Sequence, residues 1–99
     1  MQKICPIKLS VAAIAEIRQT LTIKGIPEEY CLRIGTNGGG CSAISYIMGF
    51  DKKTTLDLQY EIEGIPVIID KRHALFLWGV EIDFLESDQR GFIFNTNPQ

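Results

Sequence analysis

The hydrophobic period of this chain changes once, and that change limits what it can fold into. Before Gly25, Ile14, Ile17 and Leu21 recur at helical spacing, the pattern of a single apolar stripe on a helix. From Tyr30 onward, apolar and polar residues alternate in short segments divided by Gly, Pro, Asp and Lys. That is the period of half-buried strands. One leading helix followed by strand after strand predicts a mainly β domain with helices packed on it, an α+β arrangement occupying residues 1–99 as one domain.

Ser10 is placed to cap a helix over residues 11–21, which Ala12, Ala13 and Ala15 favour, with Gly25 and Pro27 ending it. Strands are expected over residues 30–34, 42–50, 55–62, 65–69, 80–84 and 91–94, joined mostly by tight turns. In the first of these, Leu32 and Ile34 share one face, and Cys31 and Arg33 the other. A second, short helix is expected near 71–78, closed by Gly79. Phe76, Trp78 and Phe84 are candidates for an apolar contact surface.

Charge excludes one class of partner. Ten Lys+Arg and twelve Asp+Glu give a net charge of −2. They are scattered and form no cationic stripe to neutralise phosphates, so no nucleic-acid partner is expected. No apolar run approaches the roughly 20 residues of a membrane span. Lys3, Cys5, Pro6 and Lys8 interrupt the segment in which a signal peptide would need an apolar core. The expectation is a cytoplasmic protein without a membrane partner. Cys5, Cys31 and Cys41 are then expected to be free thiols. Each is a small buried hydrophobe, a metal ligand or a nucleophile.

The chemistry concentrates at Gly38-Gly39-Gly40-Cys41-Ser42. Three glycines leave nothing bulky beside the sulfur, and backbone N–H groups of such a turn can face a thiolate or cluster sulfides. The plainer alternative is a flexible loop with Cys41 at the start of a strand. A phosphate loop does not fit, because no Gly-Lys-Ser/Thr follows. Cysteine catalysis would pair Cys41 with His73, the only histidine, but no third group to orient that imidazole stands out. His73 is expected to cap or flank the short helix, with metal ligation conceivable.

Together these residues resemble the HesB-like family of A-type iron–sulfur carriers. Ile7-Lys8-Leu9-Ser10 before an Ala-rich helix is similar to the family's opening. Leu32-Arg33-Ile34-Gly35, Gly39-Gly40-Cys41-Ser42 and Ser45-Tyr46 are similar to its most specific stretch. Val67-Ile68-Ile69-Asp70, Phe76-Leu77-Trp78-Gly79, Ile82-Asp83-Phe84, Gly91-Phe92-Ile93-Phe94-Asn95 and Asn97-Pro98 follow in the family's order, so the resemblance spans about residues 7 to 98.

The resemblance implies a pseudobarrel or two-sheet sandwich, usually dimeric or tetrameric, that is not an enzyme. Such proteins hold iron or an iron–sulfur cluster and pass it to apo iron–sulfur proteins, within the assembly machinery. Of the family's three ligands, the Gly-loop cysteine carries over to Cys41. The other two form a Cys-Gly-Cys tail without a counterpart in these residues; it would begin where the sequence given ends, at Gln99. Ala43 stands where a Gly is usual, and His73 near a usual Ser. A cluster normally takes four ligands, so a homodimer would supply two through Cys41. Cys31 is the tentative further ligand if its strand lies near the loop, and Cys5 if the N-terminal arm folds over. Outside thiols or a partner protein could also complete the shell. Three functions stand: a carrier using Cys41, a cluster-free protein-binding module on the same scaffold, and a thiol enzyme using Cys41 and His73.

Overall fold

The computed structural model describes residues 4–37, 45–87 and 90–96. Its elements, in chain order, are β1 (Ile7–Leu9), α1 (Val11–Ile23), β2 (Tyr30–Asn37), β3 (Ser45–Lys52), β4 (Asp57–Ile62), β5 (Ile65–Asp70), a one-turn 3-10 helix (Ala74–Leu77), β6 (Val80–Glu86) and β7 (Arg90–Asn95). The strands form a three-stranded sheet in the order β1-β6-β7 and a four-stranded sheet in the order β3-β2-β5-β4. The α+β arrangement with one main helix and a short helical turn near 71–78 is present as expected.

Helix α1 starts where a side chain can replace the missing backbone acceptors. The Ser10 hydroxyl accepts from the Ala13 N–H at 3.0 Å and donates to Asp83 Oδ1 on β6 at 2.6 Å. One residue therefore caps the helix and ties it to the three-stranded sheet. Ala13 and Ile17 are fully buried, so the sequence stripe does face the core. At the other end the Lys24 N–H donates to Thr20 O at 3.0 Å, and Gly25 takes a positive φ of 60°.

The core lies between the two sheets. From the four-stranded sheet it takes Leu32, Ile34, Val67 and Ile69, and from the other Val80, Ile82 and Phe84. Tyr46 on β3 and Phe94 on β7 stack across the seam between sheets with ring centres 5.0 Å apart. Phe84 packs edge-on to Phe92 at 4.8 Å and is buried. Phe76 and Trp78 are exposed.

Three local expectations need correction. β1 was not expected: a three-residue strand is too short to show alternation, and it forms because parallel pairing of Ile7 with Val80 completes the small sheet. β2 and β3 are longer at their ends than the alternation suggested. Residues 51 and 52 belong to β3, opposite Cys31 and Tyr30, not to a turn. Residues 42–44 of the expected second strand lie outside the described residues. Nor do tight turns make every connection. β3 and β4 sit at opposite edges of their sheet, so the link between them crosses the sheet. β2 pairs in parallel with β5, and β1 with β6.

Candidate functional site

Residues 38–44, which hold the Gly-rich segment, connect β2 to its antiparallel partner β3. Asn37 pairs with Ser45, Thr36 with Tyr46 and Gly35 with Ile47, so the two strands hold both ends of the loop at one end of the four-stranded sheet. Cys41 lies outside the described residues, as do its three glycine neighbours; what the structure describes is the pair of strand ends on either side of them.

His73 packs against those strand ends. The turn after β5 sets it: Asp70 accepts from the Arg72 backbone N–H at 2.9 Å and from Arg72 Nη2 at 2.6 Å, and the His73 N–H donates to Asp70 O at 2.8 Å. The Arg72 side chain, and after it the Arg72 N–H, hold the Asp70 carboxyl well below the usual carboxylate range. The imidazole then lies over Gly35, where a Cβ would meet His73 Nδ1 at 3.0 Å and Ile47 at 3.3 Å. A side chain at position 35 would have to displace the imidazole or Ile47 by a few tenths of an ångström. The Thr36 N–H donates to Nδ1 in a long contact of 3.5 Å. His73 thus flanks the short helix, as expected. Its side chain makes no cap to that helix.

Cys31 lies at the other end of β2. It is 6% exposed, on the outer sheet face that also carries Arg33 and Asp57. Burial pushes its thiol pKa up, and the nearby Asp57 carboxylate pushes the same way. Six residues of strand separate Cys31 from Asn37, roughly 20 Å of extended chain. The structure therefore does not bring Cys31 to the base of the loop. Cys5 is half-buried against the core, and burial raises its thiol pKa as well. Among the described residues no three His, Cys, Asp or Glu side chains gather as a metal-binding group.

Between these positions lies an ion network the sequence reading missed. Arg33 donates to both oxygens of Asp57 at 2.7 Å, to Asp51 at 3.0 Å and to Lys52 O at 3.2 Å. The Thr54 N–H and hydroxyl donate to Asp57 Oδ2 at 2.7 and 3.0 Å. The Thr-x-x-Asp spacing of Thr54 and Asp57 was the available signal, since it suits a side-chain-capped turn. The network pins the crossing link to the outer sheet face, below the loop.

A family model described as iron-sulphur cluster biosynthesis matches residues 5–99. The chain belongs to the iron-sulphur cluster biosynthesis family. Among curated members it is 38% identical over 94 residues to "Iron-binding protein IscA" of Enterobacter sp. (strain 638), covering 93% of this chain and 85% of that protein. It is 33% identical over 95 residues to "Iron-sulfur assembly protein IscA, chloroplastic" of Arabidopsis thaliana, again over 93% of this chain. The chain spans about half of the Arabidopsis protein's length, 52%. Among solved structures, IscA crystallised with a [2Fe-2S] cluster superposes with a TM-score of 0.75 at 22% identity, over 91% of this chain and 84% of that one. That likeness shows that these two sheets and their helix share the fold of that protein. No helix among the described residues is long and apolar enough to cross a membrane.

Proposed function

We propose that this family member binds iron or a labile iron–sulfur cluster through Cys41 and delivers it to apo iron–sulfur proteins or other assembly components in the cytoplasm. It acts as a carrier and catalyses no reaction of its own. The observation that supports this reading is family membership over residues 5–99, combined with a sequence position for Cys41 between the paired ends of β2 and β3. The Enterobacter relative is named for iron binding, and the superposed IscA holds a [2Fe-2S] cluster.

The chemistry needs a thiolate with room around it. Three glycines beside Cys41 supply the room. A single sulfur leaves other iron positions to be filled. Cys31 would have to leave its buried place on the outer sheet face to contribute. A thiol from glutathione, from a partner protein or from a second copy fills the shell at lower cost, and a shell completed this way releases its cargo readily.

Anaerobic reconstitution with iron, sulfide and glutathione tests the reading. Wild type should gain sulfide-to-iron charge-transfer bands in the visible spectrum, Cys41→Ser should lose them, and Cys31→Ser should keep them. A colourless wild type would sink the carrier reading. A cluster-free protein-binding module on the same scaffold is the second reading, drawn from the exposed Leu75, Phe76 and Trp78 around the 3-10 helix. Under that reading all three proteins stay colourless.

A further inference from the structure

Beyond Arg33, strand β2 has a strand neighbour on one side only. Its parallel register with β5 covers Leu32 with Val67 and Arg33 with Ile68, after which β5 ends at Asp70 and the chain turns. The place beside Gly35 and Thr36 is taken by a side chain, that of His73. Its backbone is tied on both sides: the His73 N–H donates to Asp70 O at 2.8 Å, and its carbonyl accepts from the Phe76 N–H at 3.0 Å. The half-buried ring lies over Gly35 and beside Ile47, with Nδ1 turned to the Thr36 N–H. Sequence offered no group to orient this imidazole. The turn after β5 and the end of β2 supply that orientation.

The sense of the Thr36 contact selects what the ring can do. An imidazole that ligates a metal turns its other nitrogen, as N–H, to a carboxylate, a carbonyl or water. Here the nitrogen toward the strand meets a donor instead. A neutral ring that accepts on one nitrogen carries its proton on the other, so this setting suits a ring with an N–H to give from Nε2. Among the described residues Nε2 has no hydrogen-bond partner. Asp70, the acid nearest to it in sequence, is occupied by Arg72 at 2.6 Å.

An N–H of this kind matches anionic sulfur, and hydrogen bonds to thiolates and sulfides help to set the potential of an iron–sulfur cluster. Cys41 is four residues from Asn37 and four from Ser45, so its Cα lies within about 14 Å of either strand end. The ring, in contact with Thr36, falls inside that radius. We infer that His73 is a hydrogen-bond donor to the cargo: Nδ1 stays toward Thr36, and Nε2–H is given to a thiolate or sulfide sulfur without any bond to iron. This rests on the carrier reading and adds a second residue to its site. The sulfur that accepts the bond gives up electron density, which makes the iron easier to reduce and slower to leave.

Two measurements test the inference, the first on metal-free protein. His73 is the only histidine, so long-range proton–nitrogen correlation spectra of the neutral ring report this residue alone, and they should show the Nε2–H tautomer. The second uses protein reconstituted with iron and sulfide. His73→Ala should lower the reduction potential and shorten retention against a chelator by about tenfold. His73→Gln, whose amide sets an N–H near the position of Nε2, should recover most of both, which a loss of packing alone would not allow. Pulsed paramagnetic resonance of the reduced wild type should show no directly bonded nitrogen. An Nδ1–H tautomer, a loaded His73→Ala protein with wild-type potential and retention, a His73→Gln protein no better than His73→Ala, or a nitrogen bonded to iron would each overturn the inference and leave the carrier reading standing. A colourless wild type sinks the carrier reading, and this inference falls with it.

Discussion

Asp57 is a carboxylate with a side chain fully withdrawn from water, a position that costs several kcal/mol unless the charge is matched. Arg33 matches it with two parallel bonds, and Thr54 adds two donors. The Arg33 bond is the main reason the Asp57 pKa falls from 3.8 to about 2. A depressed folded-state pKa stabilises the fold above the unfolded value and loses that contribution as pH falls through the folded one. The difference is worth roughly 2 kcal/mol. The urea midpoint should therefore fall between about pH 4 and pH 2, where protonation overtakes this site. Asp57→Asn should cost about 3 kcal/mol at neutral pH, because it leaves the Arg33 charge short of a partner, and should flatten its share of that acid slope. A variant whose stability keeps the wild-type pH profile would show that the pair is not the source. In the sequence Asp57 is one residue of a strand expected over 55–62. Period alone gives the face a residue occupies, not whether a charge on that face is covered.

At the scale of elements, Ser10 joins two structures that sequence treats separately. Its capping role is legible locally, from a serine before an Ala-rich apolar stripe. Its bond to Asp83, 73 residues away, is not. Accepting from Ser10 and from the Phe84 N–H keeps the Asp83 carboxyl below its ordinary pKa. Ser10→Ala removes the cap and the tie together and should lower stability by about 1–2 kcal/mol, measured by thermal denaturation. Ser10→Thr, which keeps the hydroxyl, should recover most of it. Equal losses in both variants would mean the hydroxyl matters less than the packing around it. The hairpin of β2 and β3 shows the same division. Alternation marked both strands, yet their extension to Asn37 and Lys52 depends on partners that only pairing supplies.

For the whole molecule, protection follows from position in the sheets. β5 is paired on both sides, and Ile65, Val67, Ile68 and Ile69 have almost no exposed surface. β2 is likewise central, whereas β3, β4 and β7 are edges. Amide hydrogen exchange should be slowest at Val67–Ile69 and Leu32–Ile34, opening only with global unfolding, and faster along β7. Exchange in β7 as slow as in β5 would mean that something covers that edge in solution.

The sequence by itself determined the helix, the order of the six longer strands and the alternation that divides their faces. These follow from local periodicity, from the stereochemistry of Gly and Pro, and from motif spacing, all of which act over a few residues. Tertiary structure alone decided which strands are neighbours. It put β3 and β4 at opposite edges, brought β5 in beside β2, and set His73 over Gly35 and Arg33 between Asp51 and Asp57. It also left Cys31 buried far along the strand from the loop base. Those outcomes depend on contacts between residues distant in the chain, and the free energy of such a contact is set by which surfaces meet, a quantity that no local pattern of residues contains.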